Sequence, residues 1–162
     1  MLLKTNRLAY FPRMVLATLL LCAVLPAFAF DVTDTDGKRH RIGDYRGRWV
    51  IVNFWATWCT PCLREIPEIA AFAKAHGGKD AIVLGIALDV EDPAKVLEFA
   101  RQTGHDYPLV LGDAKIEKQF GRVKGLPTTI IYDPQGKRVY DRLGTVTKKS
   151  LEEVLAAKGG KA

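Results

Sequence analysis

Two cysteines three positions apart follow an apolar run, and this arrangement constrains the fold of the chain more than any other feature. Residues Trp49–Trp55 are almost continuously apolar, which is typical of a strand covered on both faces. Cys59 and Cys62 come next, and Pro61 between them suits the first turn of a helix. The sequence therefore predicts a strand-to-helix junction at which two thiols can close and reopen a small disulfide.

The backbone at a helix start makes the two sulfurs chemically unequal. Unpaired N–H groups there stabilise negative charge, so Cys59 is expected to be the more acidic thiol and the attacking nucleophile. Cys62 lies one turn deeper on the same face and is expected to resolve the mixed disulfide. The pair is therefore predicted to be a redox-active disulfide, Cys59–Cys62.

The first 29 residues are predicted to be a secretory signal peptide. Three basic residues and no acidic one precede the apolar run Met14–Leu25, and Ala27-Phe28-Ala29 fits a small-x-small cleavage site. The alternative is an uncleaved membrane anchor, because Met14–Phe30 reaches the short end of the usual spanning length. We expect a periplasmic domain of residues 30–162, or the same domain tethered to the inner membrane.

Charge and cysteine count narrow the classes of function. Loss of residues 1–29 would remove three basic and no acidic residues, leaving 21 basic against 18 acidic residues and a net charge of about +3. Nucleic-acid binding then has little support. Cys22 would leave with the signal, and one remaining closely spaced pair is more typical of a reactive couple than of a disulfide framework.

Hydrophobic patterns along residues 30–157 predict one mixed α/β domain. Strands are expected in a hairpin at 30–32 and 38–41, then at 49–55, 81–88, 109–111, 128–132 and 137–143. Helices are expected at 61–76, from an Asp92 cap to near Gly104, after Asp113, and from Thr147 or Ser150, the latter forming a capping box with Glu153. This order implies a central sheet with helices on both faces.

Two motifs, in this order, resemble the thioredoxin-like proteins and, more narrowly, the TlpA/ResA branch of exported thiol–disulfide oxidoreductases. They are the run Asn53–Pro67, which contains both cysteines, and Gly125-Leu-Pro-Thr-Thr129. The resemblance covers about Phe30 to Leu155 and implies a thioredoxin-like fold, with a helix-containing insertion between Ala81 and Leu111. It also implies exported substrates with cysteine pairs, apocytochrome c among them, and a membrane thiol–disulfide electron donor. No cofactor is expected.

The resemblance also assigns residues around the dithiol. It implies a cis Leu126–Pro127 bond beside the cysteines, where the backbone of Leu126 could pair with an extended partner chain. Asn53 stands where thioredoxin has a buried Asp, so the proton of the resolving thiol needs another acceptor. Glu91 corresponds to an acidic residue near the dithiol in the TlpA/ResA branch, and a carboxylate desolvated there would suit that role. Otherwise, Pro127 would be an ordinary trans proline at an edge strand, and Glu91 a favourable charge at a helix start.

The side chains that flank the two cysteines in sequence are expected to have packing or surface roles. Trp58 is expected to be a semi-exposed contact surface for partner chains, and Trp55 a core residue. Arg64 and Glu65 are expected on a solvated helix face. Because Thr60-Pro61 adds no charge beside the thiolate, we expect a reductant rather than a strong oxidant.

Other functions are less favoured. A single Cys-x-x-Cys supplies two ligands where zinc takes four, and His76 lacks a second histidine three to five residues beyond it, so no metal is expected. A copper-delivery module of similar fold would have a Cys-x-x-x-Cys pair and a distant histidine, whereas two residues separate the cysteines here. A peroxiredoxin-like peroxidase would have a Pro-x-x-x-Thr-x-x-Cys pattern, which this sequence lacks. A scaffold with an incidental disulfide is the remaining alternative.

Overall fold

One mixed sheet organises the part of the chain that the computed structural model describes, residues 30–88 and 90–159. The strands are β1 (Asp31–Thr33), β2 (Arg39–Arg41), β3 (Trp49–Trp55), β4 (Ala81–Ala87), β5 (Leu109–Leu111), β6 (Thr128–Tyr132) and β7 (Arg138–Leu143). The helices are α1 (Thr60–His76), α2 (Pro93–Gln102), α3 (Ala114–Gln119) and α4 (Lys148–Gly159), with a 3₁₀ turn at Ile42–Tyr45. None of these described helices is both long and apolar enough to cross a membrane. The predicted signal peptide, residues 1–29, lies outside the described residues.

Five strands form the central sheet in the order β5-β4-β3-β6-β7, and β1 pairs with β2 in a separate hairpin. Strands β3, β4 and β5 are parallel, whereas β6 is antiparallel to β3 and to β7. Strand β3 is paired on both sides and buried along its whole length, as its apolar sequence predicts. The carboxyl ends of β3 and β4 therefore meet the amino end of β6 at one edge of the sheet.

The side chains of β3 alternate between two faces, each covered by a different set of elements. Val50, Val52 and Phe54 pack with residues of the hairpin, the 3₁₀ turn and α3. On the other face, Ile51 packs with residues of α1 and α4, and Trp55 packs with both cysteines and with residues of α2. The predicted sheet with helices on both faces is confirmed.

The observed element boundaries agree with the sequence patterns. Asp92 and Asp113 cap α2 and α3 through their side chains, as predicted. Helix α4 begins at Lys148, which confirms the predicted start near Thr147. The alternative start at Ser150, with a capping box to Glu153, is wrong, because Ser150 lies in the first turn. Instead, Thr147 Oγ1 accepts a hydrogen bond from the Ser150 N–H at 3.1 Å, and Ser150 Oγ accepts one from the Thr147 N–H at 2.9 Å.

Gly85, in the middle of β4, leaves room for two rings from the loop after α2. A Cβ atom added to Gly85 would lie 2.3 Å from His105 Nε2 and 3.0 Å from Tyr107 Cε2. Any larger residue would therefore displace both rings from the α1 side of the sheet.

Replacement of Gly85 by alanine is expected to lower the free energy of unfolding by about 1–3 kcal/mol, because the added methyl group overpacks a buried site. Gly43→Ala is the matched control, since a Cβ atom there meets nothing within 4 Å. Equilibrium urea denaturation measures both changes. Equal stabilities of the two variants would contradict the close packing at Gly85.

Candidate active site

Cys59 and Cys62 form a disulfide at the start of α1. Cys59 is the N-cap residue, and its Sγ accepts a hydrogen bond from the Cys62 N–H at 3.3 Å. Pro61 stands in the first turn, where its missing N–H leaves no helical bond unmade. Cys59 is 4% exposed and Cys62 fully buried, so Cys59 is the outer sulfur. The predicted strand-to-helix junction is confirmed.

The contact between Cys59 Sγ and the Cys62 N–H gives a physical basis for the inequality of the two sulfurs. Once the disulfide is reduced, the same backbone donor and the positive end of the α1 dipole would stabilise a thiolate on Cys59. Cys62 lies inside the helix, within an apolar cluster that includes Trp55 and Ile66. Burial of that kind favours its neutral thiol.

The Leu126–Pro127 bond is cis, as the resemblance implied. Leu126 is half-buried and packs against the cluster that contains both cysteines. The Pro127 carbonyl accepts from the Gly144 N–H at 2.9 Å, and the Gly125 carbonyl accepts from the Thr128 hydroxyl at 2.7 Å. Within residues 30–88 and 90–159, no hydrogen bond uses the N–H or C=O of Leu126. That backbone is therefore open to an added strand.

Two large apolar side chains are exposed around this edge of the sheet. Trp58, directly before Cys59, is 63% exposed, which agrees with its expected exposure. Leu143, at the end of β7, is 59% exposed, and its Cδ1 lies 3.2 Å from where a Cβ of Gly125 would stand. Sequence reasoning missed Leu143, because its position beside Gly125 follows from the pairing of Thr128 with Leu143 across β6 and β7.

Glu65 is a buried carboxylate, and its predicted place on a solvated helix face is wrong. Its side chain is 1% exposed. Asn53 Nδ2 donates to its Oε1 at 2.8 Å, and the Val146 N–H donates to its Oε2 at 2.8 Å. Asn53 Nδ2 also contacts Thr129 Oγ1 at 3.2 Å. Asn53 therefore does not merely lack the carboxylate of thioredoxin: it holds a carboxylate supplied by α1.

Burial is the main electrostatic influence on Glu65. Desolvation raises the pKa of its carboxyl, and the hydrogen bonds from Asn53 and Val146 oppose part of that rise. Glu65 follows Cys62 by three residues on α1, and residues so spaced are neighbours on one helix face. The site thus contains a carboxylate of raised basicity next to the inner cysteine.

A sequence signal for Glu65 existed in the helical stripe. The buried residues of α1 are Cys62, Glu65, Ile66, Ile69 and Phe72, which recur at spacings of three and four. Glu65 stands inside that apolar stripe. A carboxylate at such a position is almost never fully buried unless it has partners, and this rule would have directed attention to it.

The structure does not support the prediction that Glu91 is a desolvated carboxylate beside the dithiol. It is exposed in the segment before α2, whose cap is Asp92. The expectation that it is desolvated beside a thiol is therefore wrong, and the desolvated carboxylate of this site is Glu65. A role of Glu91 in proton transfer stays a prediction without that support.

Two of the three histidines have other partners. His40 is buried between Tyr45, which contacts Nδ1, and Asp34, whose Oδ2 lies 2.8 Å from Nε2. His76 lies at the far end of α1 and contacts Asp80. Among the described residues, no group of three or more His, Cys, Asp or Glu side chains is arranged to hold a metal ion.

Comparison with known proteins gives the same fold and chemistry. Residues 25–140 match the AhpC/TSA family. The chain is 35% identical over 128 residues to the thiol-disulfide oxidoreductase ResA of Geobacillus thermodenitrificans, a match that covers 78% of this chain and 72% of that protein. Against the ResA of Bacillus subtilis, the identity is 32% over 126 residues, covering 78% of this chain and 70% of that protein.

Solved structures agree with the sequence matches. A thiol:disulfide interchange protein of the thioredoxin family from Chlorobium tepidum superposes with a TM-score of 0.72 at 28% identity, covering 82% of this chain and 94% of that one. The exposed lipoprotein thioredoxin Etrx1 of Streptococcus pneumoniae gives a TM-score of 0.69 at 27% identity, covering 80% of this chain and 98% of that one. The thioredoxin-like fold expected from the two motifs is confirmed.

The raised pKa of Glu65 predicts how stability changes with pH. Because the folded chain binds this proton more tightly than the unfolded chain, stability falls as pH rises from below 4.5 through the folded-state pKa. The glutamine in the Glu65→Gln variant cannot ionise, so the stability of that variant does not fall with pH for this reason. Denaturation of both oxidised proteins between about pH 4 and about pH 8 should therefore show a stability difference that moves in favour of the variant with rising pH. Parallel pH profiles would contradict the buried-carboxylate assignment.

Proposed function

This chain belongs to the AhpC/TSA family and is a thiol–disulfide oxidoreductase, and we propose that it reduces cysteine pairs in exported proteins. The observation that carries the proposal is the Cys59–Cys62 pair at the start of α1, beside the cis Leu126–Pro127 bond. The relatives at 35% and 32% identity are named thiol-disulfide oxidoreductases, and they support the same chemistry here.

The reaction uses the two sulfurs in sequence. The Cys59 thiolate attacks one sulfur of the partner's disulfide, and the other partner sulfur leaves as a thiolate. Cys62 then loses its proton and attacks Cys59 Sγ, which breaks the mixed disulfide and releases the second partner sulfur. The partner gains two electrons and becomes a dithiol, while the protein becomes the Cys59–Cys62 disulfide. An electron donor restores the reduced pair.

Glu65 is the residue that we propose accepts the proton of Cys62. Glu65 follows Cys62 by three residues on the same face of α1, and its carboxyl is buried and has a raised pKa. A carboxylate of raised pKa takes a thiol proton more readily than an exposed one. Asn53 and the Val146 N–H hold both of its oxygens, so the acceptor keeps one orientation.

The partner chain is proposed to bind along the cis-proline segment. The free N–H and C=O of Leu126 can pair with an extended chain, as in strand addition. Trp58 on one side and Leu143 on the other are exposed apolar side chains that can contact residues flanking the partner's cysteine. Cys59, the outer sulfur, lies at this edge of the sheet.

We propose that the protein works outside the cytoplasm. The predicted signal peptide at residues 1–29 supports this location, and the chain is similar to a protein described as an exposed lipoprotein. Either cleavage after Ala29 or retention as an inner-membrane tether is compatible with a periplasmic domain. A membrane thiol–disulfide protein would supply electrons, and apocytochrome c is the leading candidate substrate by family analogy.

The reducing direction follows from what surrounds the thiolate. Strong oxidants stabilise the reduced thiolate, whereas Thr60 and Pro61 between the cysteines carry no charge. The helix terminus is then the chief stabilising influence on Cys59. This environment favours a low potential.

Replacement of one cysteine at a time separates the two roles. Cys62→Ser is expected to accumulate mixed disulfides with exported proteins, because the attacking sulfur is intact and nothing resolves its product. Cys59→Ser is the matched control and should accumulate few. Non-reducing electrophoresis with mass spectrometry of the trapped chains measures both. Equal trapping by the two variants would contradict the assignment of Cys59 as nucleophile.

The redox potential tests the direction of electron flow. Equilibration with glutathione is expected to give a value nearer about −270 mV, typical of thioredoxin, than about −120 mV, typical of a strong periplasmic oxidant. A value near that of the oxidant would contradict the reductant assignment and leave the exchange chemistry in place.

A further inference from the structure

A row of polar side chains crosses the core beneath the dithiol. Thr129, Asn53 and Gly85 are direct neighbours on β6, β3 and β4, and side chains in such a row point to one face of the sheet. Glu65 descends from α1 onto Asn53. The row separates the cluster around the cysteines from the cluster around Ile51 and α4.

His105 and Tyr107 continue this row over Gly85. His105 Nε2 lies 2.3 Å from the place where a Cβ of Gly85 would stand, and Tyr107 Cε2 lies 3.0 Å from it. Adjacent strands are about 4.8 Å apart, so these rings reach the neighbourhood of the Asn53 side chain. The two ring centroids are 3.8 Å apart, and His105 also lies 5.3 Å from the ring of Trp55.

The polar atoms of this group are buried without partners. Asn53 Oδ1, Trp55 Nε1, both ring nitrogens of His105 and the Tyr107 hydroxyl have no hydrogen-bond partner among residues 30–88 and 90–159. Asn53 and Trp55 are fully buried, and Tyr107 is 7% exposed. Buried polar atoms in native proteins are nearly always paired, and internal water commonly provides the partner. We therefore expect internal water to be the hydrogen-bond partner of this group.

Charge connects this group to Glu65. Burial raises the pKa of Tyr107, and the nearby charge of Glu65 raises it further. Burial lowers the pKa of His105 to about 4, and the neighbouring backbone of His105 and Tyr107 opposes part of that fall, so its imidazole is neutral near pH 7 and has one donor and one acceptor nitrogen. Both ring nitrogens of His105 are buried, but the residue as a whole is only half-buried, so it lies nearer the surface than Asn53 and Tyr107.

Among the described residues, the charged groups nearest the row around Glu65 include exposed Glu68, one turn further along α1, and exposed Arg142 of β7, which pairs with Thr129. Helix α1 contributes Cys62, and the loop after α2 contributes His105 and Tyr107, with exposed Asp106 between them. Strands β3 and β4 contain no titratable side chain. The segment before α4 contributes a backbone N–H. On the loop side of Glu65, His105 and Tyr107 are the described residues with exchangeable side-chain groups that are buried without a hydrogen-bond partner.

We propose that His105 and Tyr107, with water bound between them and Asn53, form the route by which Glu65 returns its proton to solvent. The inference rests on the proposed role of Glu65 in the reaction. The proton of the Cys62 thiol passes to the Glu65 carboxylate as Cys62 attacks Cys59. It then moves through bound water to His105, which accepts on one nitrogen and releases from the other. No electron moves in these steps, and Glu65 ends as the carboxylate. His105 and Tyr107 are positioning residues for this transfer.

The test uses a reagent that resolves the two sulfur steps. Reduced protein mixed with dithiobis(nitrobenzoate) releases one coloured aryl thiolate when Cys59 attacks, and a second when Cys62 displaces the mixed disulfide. Stopped-flow absorbance therefore reports the Cys62 step separately. The variants are Tyr107→Phe, which keeps the ring and removes the hydroxyl, and His105→Phe, which keeps an aromatic ring at the position and removes both nitrogens. Tyr132→Phe, a buried tyrosine on the opposite face of the sheet, is the matched control.

Near neutral pH, the second phase of both variants is expected to slow about tenfold, with the first phase and the control unchanged. The difference should shrink at alkaline pH, where hydroxide removes the Cys62 proton directly. A merely structural role would change both phases and leave the pH profile parallel. Unchanged second phases in Tyr107→Phe and His105→Phe, with a slow second phase in Glu65→Gln, would overturn the route and leave the role of Glu65 intact. An unchanged second phase in Glu65→Gln would overturn that role as well.

Discussion

The hydrogen bonds that hold the buried Glu65 carboxylate are the interaction on which the rest of the site depends. A carboxylate removed from water is unfavourable unless its oxygens are paired. Here one oxygen accepts from Asn53 of β3 and the other from the N–H of Val146, ahead of α4. Three segments distant in sequence therefore meet at one side chain. Because Glu65 belongs to α1, the same bonds fix the helix whose first turn carries the cysteines.

The site combines two electrostatic environments a few residues apart. Cys59 stands at the helix terminus, where a backbone N–H contacts its sulfur and a thiolate is favoured. Cys62 and Glu65 stand inside the helix, where low polarity favours their protonated forms. These environments suit the proposed roles, in which Cys59 attacks, Cys62 resolves and Glu65 accepts the proton of Cys62. The difference arises from position along α1, since the two side chains are chemically identical.

Sequence predicted those parts of the structure that depend on local pattern. The apolar run Trp49–Trp55, the Pro61 in the first turn and the Asp92 cap each carry their structural meaning in a few adjacent residues. Only the family resemblance predicts the cis form of the Leu126–Pro127 bond, because an isolated Leu-Pro bond favours trans.

The parts that sequence missed depend on distant neighbours. Local pattern places Glu65 on the helix surface, since its buried partner Asn53 belongs to another element, 12 residues earlier. The family resemblance points to Glu91 as the proton acceptor instead, but Glu91 is exposed and therefore lacks the desolvation that this role requires. The meaning of Gly85 appears only when the rings of His105 and Tyr107 are seen above it. A single sequence contains the residues of the polar row but does not give the strand register that aligns them across β6, β3 and β4.

The most direct test of this account is a titration of Glu65 itself in the reduced protein. Carboxyl ¹³C NMR shifts, with the Glu65 resonance assigned by its loss in Glu65→Gln, report protonation without relying on activity. The account predicts that Glu65 titrates at higher pH than the exposed glutamates of the same chain, and that Asn53→Ala, which removes a donor to the carboxylate, raises its midpoint further. A Glu65 midpoint within the range of the exposed glutamates would contradict it.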